Sequence, residues 1–109
     1  MKTTELKLEE NPRLQKFQEY VKEMVKKRGF EKESITVIYM LFAEECGEMA
    51  KAIRKLQNIK TDNNSQKFDL SDEIADVFIY LLDICNFFDI DLEQAFRIKE
   101  EKNKLRNWK

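Results

Sequence analysis

Residues 41–55, Leu41 to Lys55, read LFAEECGEMAKAIRK, and the way this stretch winds decides the fold. From Ile38 to Leu56 apolar residues recur at three- and four-residue spacing, which predicts an amphipathic helix. With Glu45 at zero and about 100° per residue, Ile38 and Leu56 fall at about +20°, Leu41 at about −40°, Met49 at about +40° and Ala52 at about −20°. Glu45 therefore stands at the centre of the apolar stripe. Glu48 lies about 60° away on the same face, and Glu44 sits nearer the edge at about −100°. Side chains at i and i+3 are neighbours, so Glu45 and Glu48 can point at one spot.

Working outward, the same period appears three more times. Asn11 and Pro12 form a helix-start signal, a capping side chain followed by proline at the first helical position. Leu14, Phe17, Val21 and Met24 follow at helical spacing, and Gly29 offers a left-handed cap, so a first helix is predicted over about 12–28. Ser34 caps the second helix, which runs to about Gln57. NIKTDNNSQKFD is polar, lacks periodicity and reads as a mobile loop over 58–68. Asp69 or Ser71 can cap a third helix to about Phe88, apolar almost all round, the mark of a helix inside a bundle or between subunits. Asp91, with Gln94 as its box partner, opens a fourth helix that runs to about Asn107 and becomes basic. The prediction is an all-α, four-helix up-and-down bundle: a flexible segment over 1–10, then one domain over 11–109. The apolar third helix adds an expectation of self-association.

Composition narrows the function classes. The chain has 109 residues with 2 glycines and 1 proline, which suits one helical domain with few turns. Net charge is −1, so no broad field favours nucleic acid or an acidic membrane surface, and neither is expected as a partner. No long apolar run or signal-peptide pattern is present, and a soluble, cytoplasmic protein is expected. Cys46 and Cys85 sit within apolar patterns and read as buried free thiols. Histidine is absent, which removes the commonest general base and the commonest transition-metal ligand.

The third helix repeats the acidic spacing of the second. Glu73 and Asp76 are three apart, and Tyr80, Asp83 and Phe87 continue that face. Two carboxylates about 5 Å apart repel by roughly 3 kcal/mol at an effective dielectric of ~20, before desolvation is counted. Either the two helices do not face each other in this way, or a hard cation sits between them. Oxygen ligands without histidine or cysteine favour Mg²⁺ or Mn²⁺.

EECGE at 44–48 followed by EIAD at 73–76 resembles the MazG-like, all-α nucleoside triphosphate pyrophosphohydrolases, whose pattern is EExxE, a variable spacer, then ExxD. The likeness runs from about Leu14 to Trp108 and includes RGF before the second helix, GEMAKAIRK, DVFIYLLD, DIDLEQAF and the basic KxxxN ending. It implies hydrolysis of an NTP or dNTP to the monophosphate and pyrophosphate, with Mg²⁺ as cofactor and Mn²⁺ able to substitute. By the same likeness Glu45, Glu48, Glu73 and Asp76 hold the metal. Glu44, the first glutamate of the motif, either stands behind the metal ligands or helps to position water, Tyr80 is the third-helix aromatic at the substrate, Lys99 and Asn103 contact the phosphates, and the resemblance implies assembly as a dimer or a dimer of dimers. Tyr80 also fits a simple core aromatic, Trp108 a docking anchor for the tail in preference to a base-stacking platform, and Asp83 either a contact to metal-bound water or a polar cap. Cys46 stands where the family is usually aliphatic, and Phe30 where a tryptophan is frequent near the base pocket, so base choice stays open. A catalytically inactive bundle that binds a partner protein is the alternative. A di-iron carboxylate bundle is disfavoured by the missing histidines.

Overall fold

The computed structural model of the chain describes Glu10, residues 12–57 and residues 67–106, with side chains described from Leu70 onward in the last segment. Four helices follow one another: α1 Leu14–Lys27, α2 Ile35–Leu56, α3 Lys67–Phe87 and α4 Leu92–Lys104. Among the described residues no strand occurs. Asn11, the 58–66 connection, Trp108 and the first nine residues lie outside this description. No described helix is long and apolar enough to cross a membrane.

The caps explain the boundaries, and two differ from expectation. Ser34 Oγ accepts the Val37 N–H at 3.2 Å and starts α2 as predicted. The Asp91 carboxylate accepts the Gln94 N–H at 3.1 Å and starts α4. In contrast α1 begins two residues after Pro12, with Arg13 as an N-cap whose side chain makes no cap bond. The Arg13 guanidinium instead donates to Glu93 of α4 at 3.1 Å, which ties its extended backbone to that helix. Likewise Asp69 and Ser71 lie inside α3, because the helix begins upstream at Lys67. A capping residue marks a permitted start, and a helix already nucleated upstream runs through it.

Two helices end in the same motif with different residues. Phe30 N–H donates to Val25 O at 2.8 Å and Gly29 N–H to Lys26 O at 3.2 Å, with Gly29 at φ 78. Ile90 N–H donates to Cys85 O at 2.8 Å and Asp89 N–H to Asn86 O at 3.2 Å, with Asp89 at φ 55. Both are Schellman closures, in which a left-handed residue lets the chain satisfy the last carbonyls and turn away. The first of them was legible from its glycine. The second was not, since aspartate tolerates that conformation only at some cost.

The core lies where α1 crosses α3. Val21, Met24 and Leu82 are buried together, with Phe17, Phe78, Ile79 and Leu92 packed around them. Phe17 meets Phe78 edge to face at 5.8 Å between ring centres. Leu82 is 1% exposed, and full burial of such a side chain stabilises by about 2 kcal/mol. Cys85 is buried and Cys46 half-buried, both as free thiols; burial pushes the Cys85 thiol up. The most extensive packing is α2 against α3, and α4 rests on α1.

Candidate metal centre

α2 and α3 run antiparallel. Near the start of α2, Ile38 and Leu41 share a cavity with Asp76, Tyr80 and Asp83. Further along, Glu48 and Ala52 meet Glu73. Rising residue numbers on one helix thus face falling numbers on the other. This pairing sets the two acidic i,i+3 motifs opposite each other.

Carboxylate oxygens of Glu45, Glu73 and Asp76 all lie within 4.8 Å of one another. Glu45 and Glu73 are half-buried and Asp76 is exposed. Glu73 Oε1 is buried and receives no hydrogen bond. Such an atom keeps its desolvation cost uncompensated. Burial raises the Glu45 carboxyl above its ordinary range, helped by the close approach of the Glu73 carboxyl and by the charges of Asp76, Glu73 and Glu48. An all-oxygen, histidine-free set of this kind fits a hard divalent cation, which would satisfy the bare Glu73 oxygen.

The other expected residues fall into three places. Glu48 is one turn beyond Glu45 and exposed; its charge reaches Glu45, but it stands outside the group of three. Glu44 is exposed and, with Glu45, Asp76 and Asp83, lends negative charge around Tyr80. Burial and those four carboxylates hold the Tyr80 phenol above its ordinary value. Tyr80 therefore lines a cavity beside the triad. Lys99 and Asn103 stand on α4, the helix that packs on α1, and neither lines the two cavities that border the triad.

Those cavities differ in character. One, of about 250 Å³, is walled by Ile38, Leu41, Ile79 and Phe30, and carries Asp76, Tyr80, Asp83, Arg28 and Glu33. Burial raises the Asp83 carboxyl there. The other, of about 90 Å³, is polar and is lined by Glu48, Lys51, Lys55 and Glu73 around Ala52. Asp83 thus lines the larger cavity. Sequence reasoning passed over Arg28, Glu33, Lys51 and Lys55. A signal for the last existed on the helical wheel, where Lys55 falls at about −80° beside Glu48 at about −60°.

A family model described as the MazG nucleotide pyrophosphohydrolase domain matches residues 33–108, a span that covers both acidic motifs and α4. No curated protein matches the chain.

Proposed function

The chain belongs to the MazG nucleotide pyrophosphohydrolase domain family, and from that premise we propose that it is a Mg²⁺-dependent enzyme that hydrolyses a nucleoside or deoxynucleoside triphosphate to the monophosphate and pyrophosphate. The observation that carries this reading is the bare Glu73 oxygen within a carboxylate triad drawn together inside 4.8 Å. Such an arrangement is costly for a fold alone and useful for holding a cation.

Glu45, Glu73 and Asp76 would hold the ion, and Glu48, one turn along the same helix, would join them by a change of rotamer. Mn²⁺ suits the same oxygens. The bound ion supplies charge neutralisation on the phosphates and an activated water. The protein's own part is placement. Glu44 lies on the Tyr80 side of the triad and orients water, and Tyr80 forms a wall of the adjoining cavity. Water oxygen would bond to the α-phosphorus and give up a proton to solvent by way of the surrounding carboxylates, the bond from that phosphorus to the bridging oxygen would break, and pyrophosphate would depart with the electron pair.

Lys99 and Asn103 enter this scheme from a second copy of the chain, because α4 of the same chain rests on α1. Exposed apolar side chains support self-association: Tyr39 and Met40 on α2, Ile74 on α3, and Phe96, which is 69% exposed, on α4. The physiological role proposed is the cytoplasmic clearing of surplus or non-standard nucleotides.

Incubation with Mg²⁺ and a nucleotide panel tests the reading. Pyrophosphate release, abolished by a chelator and restored by Mg²⁺, is expected. Orthophosphate release would mean a different bond is cut. No release at all would favour a partner-binding bundle without turnover.

A further inference from the structure

The groove between α2 and α3 is chemically polarised, and its order matches that of a nucleotide. From the start of α2 toward its end come the apolar walls Ile38 and Leu41, then Glu45 of the triad, then Glu48, Lys51 and Lys55. The triad joins the two cavities: Asp76 belongs to the larger one and Glu73 to the smaller. Leu41 to Lys51 spans about 15 Å of helix at 1.5 Å per residue, a reach suited to a base, a sugar and a phosphate chain laid end to end.

We propose that the groove binds its substrate in one direction, with the base in the large cavity and the terminal phosphates on Lys51 and Lys55. This rests on the pyrophosphohydrolase reading above and adds substrate-contacting residues to it. The reverse direction would bring the phosphates to Asp76, Asp83 and Glu33, with Arg28 as the one cation among the lining residues. In the smaller cavity two lysines face two glutamates, and one of those glutamates belongs to the metal-holding triad. Among the described residues neither lysine forms an ion pair. Lys51 is three residues from Glu48, a spacing that permits a pair, yet none forms. Both ammonium groups are therefore available to an anion, and their position is where pyrophosphate gathers charge as it leaves.

The test uses the full chain with Mg²⁺, comparing wild type with the double variant Lys51→Ala/Lys55→Ala and the charge-retaining Lys51→Arg/Lys55→Arg. Inorganic pyrophosphate and a nucleoside monophosphate serve as product inhibitors and as ligands in calorimetry. In the alanine variant pyrophosphate binding should weaken by about tenfold or more, monophosphate binding should stay within about twofold, and the arginine variant should resemble wild type. Unchanged pyrophosphate binding, or a monophosphate loss as large as the pyrophosphate loss, overturns the proposed direction. Failure of wild type to release pyrophosphate from any nucleotide would instead overturn the catalytic reading beneath it.

Discussion

Gln18 and Glu73 are both polar side chains drawn inside, and the protein treats them in opposite ways. Gln18 is 7% exposed. Its amide donates to Ile90 O at 2.8 Å and to Asn86 Oδ1 at 3.2 Å. Its carbonyl oxygen accepts from Leu92 N–H at 2.8 Å, and Asn86 Nδ2 donates back to Gln18 O at 3.0 Å. One side chain thus fastens α1 to the end of α3 and the start of α4. Glu73, on the opposite side of α3's role, has an inward oxygen that nothing reaches. A buried polar group with its bonds complete specifies structure, whereas one left bare beside two more carboxylates is kept for something that arrives later.

The largest effect is expected where the groove is broken. Asp76→Asn or Glu73→Gln should cut pyrophosphate release by about a hundredfold or more, since each removes a charged oxygen from the set that holds the ion. The same variants should melt no lower than wild type in the absence of Mg²⁺, because they relieve repulsion. Steady-state assays beside thermal melts check both parts, and a variant that retains native turnover would remove the metal assignment.

Breaking the corner should do the reverse. Gln18→Ala deletes three side-chain hydrogen bonds and strands Leu92 N–H, Ile90 C=O and Asn86 Oδ1, at a cost of about 2–4 kcal/mol. Turnover per folded molecule should be unchanged. Chemical denaturation with an activity assay at low denaturant measures the two separately.

This contrast also marks what could be read in advance. The acidic i,i+3 pairs lie on opposed helices, so a wheel and an antiparallel hairpin suffice to bring Glu45, Glu73 and Asp76 together. Ser34 and Asp91 were legible as caps because their bonds are local. Gln18 was not, since nothing in its neighbourhood announces partners at Asn86, Ile90 and Leu92; its network exists only after α1 crosses α3. Arg13 and Glu93 escaped for the same reason, and with them the true start of α1. Lys99 and Asn103 lie on α4, which rests on α1, and spacing along a sequence cannot say which copy of a helix meets which groove.

A smaller effect sharpens the comparison through pH. Asp83, on the groove side, has its carboxyl raised by burial. A raised folded-state value means that its contribution to stability is present below the ordinary carboxylate range and lost as pH rises through the raised value. Asp83→Asn avoids that loss. It should therefore melt higher than wild type at neutral pH, by under about 1 kcal/mol because the carboxyl is partly solvated, and the gap should close in acid. Melts from acid to neutral pH, with Mg²⁺ absent, follow the gap.

The corner supplies the opposite sign in Glu93. Arg97 and Arg13 hold its carboxyl below the ordinary range through hydrogen bonds, against some desolvation. Arg97 Nη2 approaches at 3.0 Å and Arg13 Nη2 at 3.1 Å. A lowered folded-state value gives stability that is present above the ordinary carboxylate range and lost as pH falls through the lowered value. Glu93→Gln should accordingly melt slightly lower than wild type at neutral pH, by about a degree, since both arginines are largely solvated. The difference should fade in acid as the wild-type carboxyl takes up its proton. The two carboxylates then trace mirrored curves: the groove variant gains on wild type toward neutral pH and the corner variant loses. If both variants moved the melt in the same direction, the division between a satisfied corner and an unsatisfied groove would not describe how this protein distributes its charge.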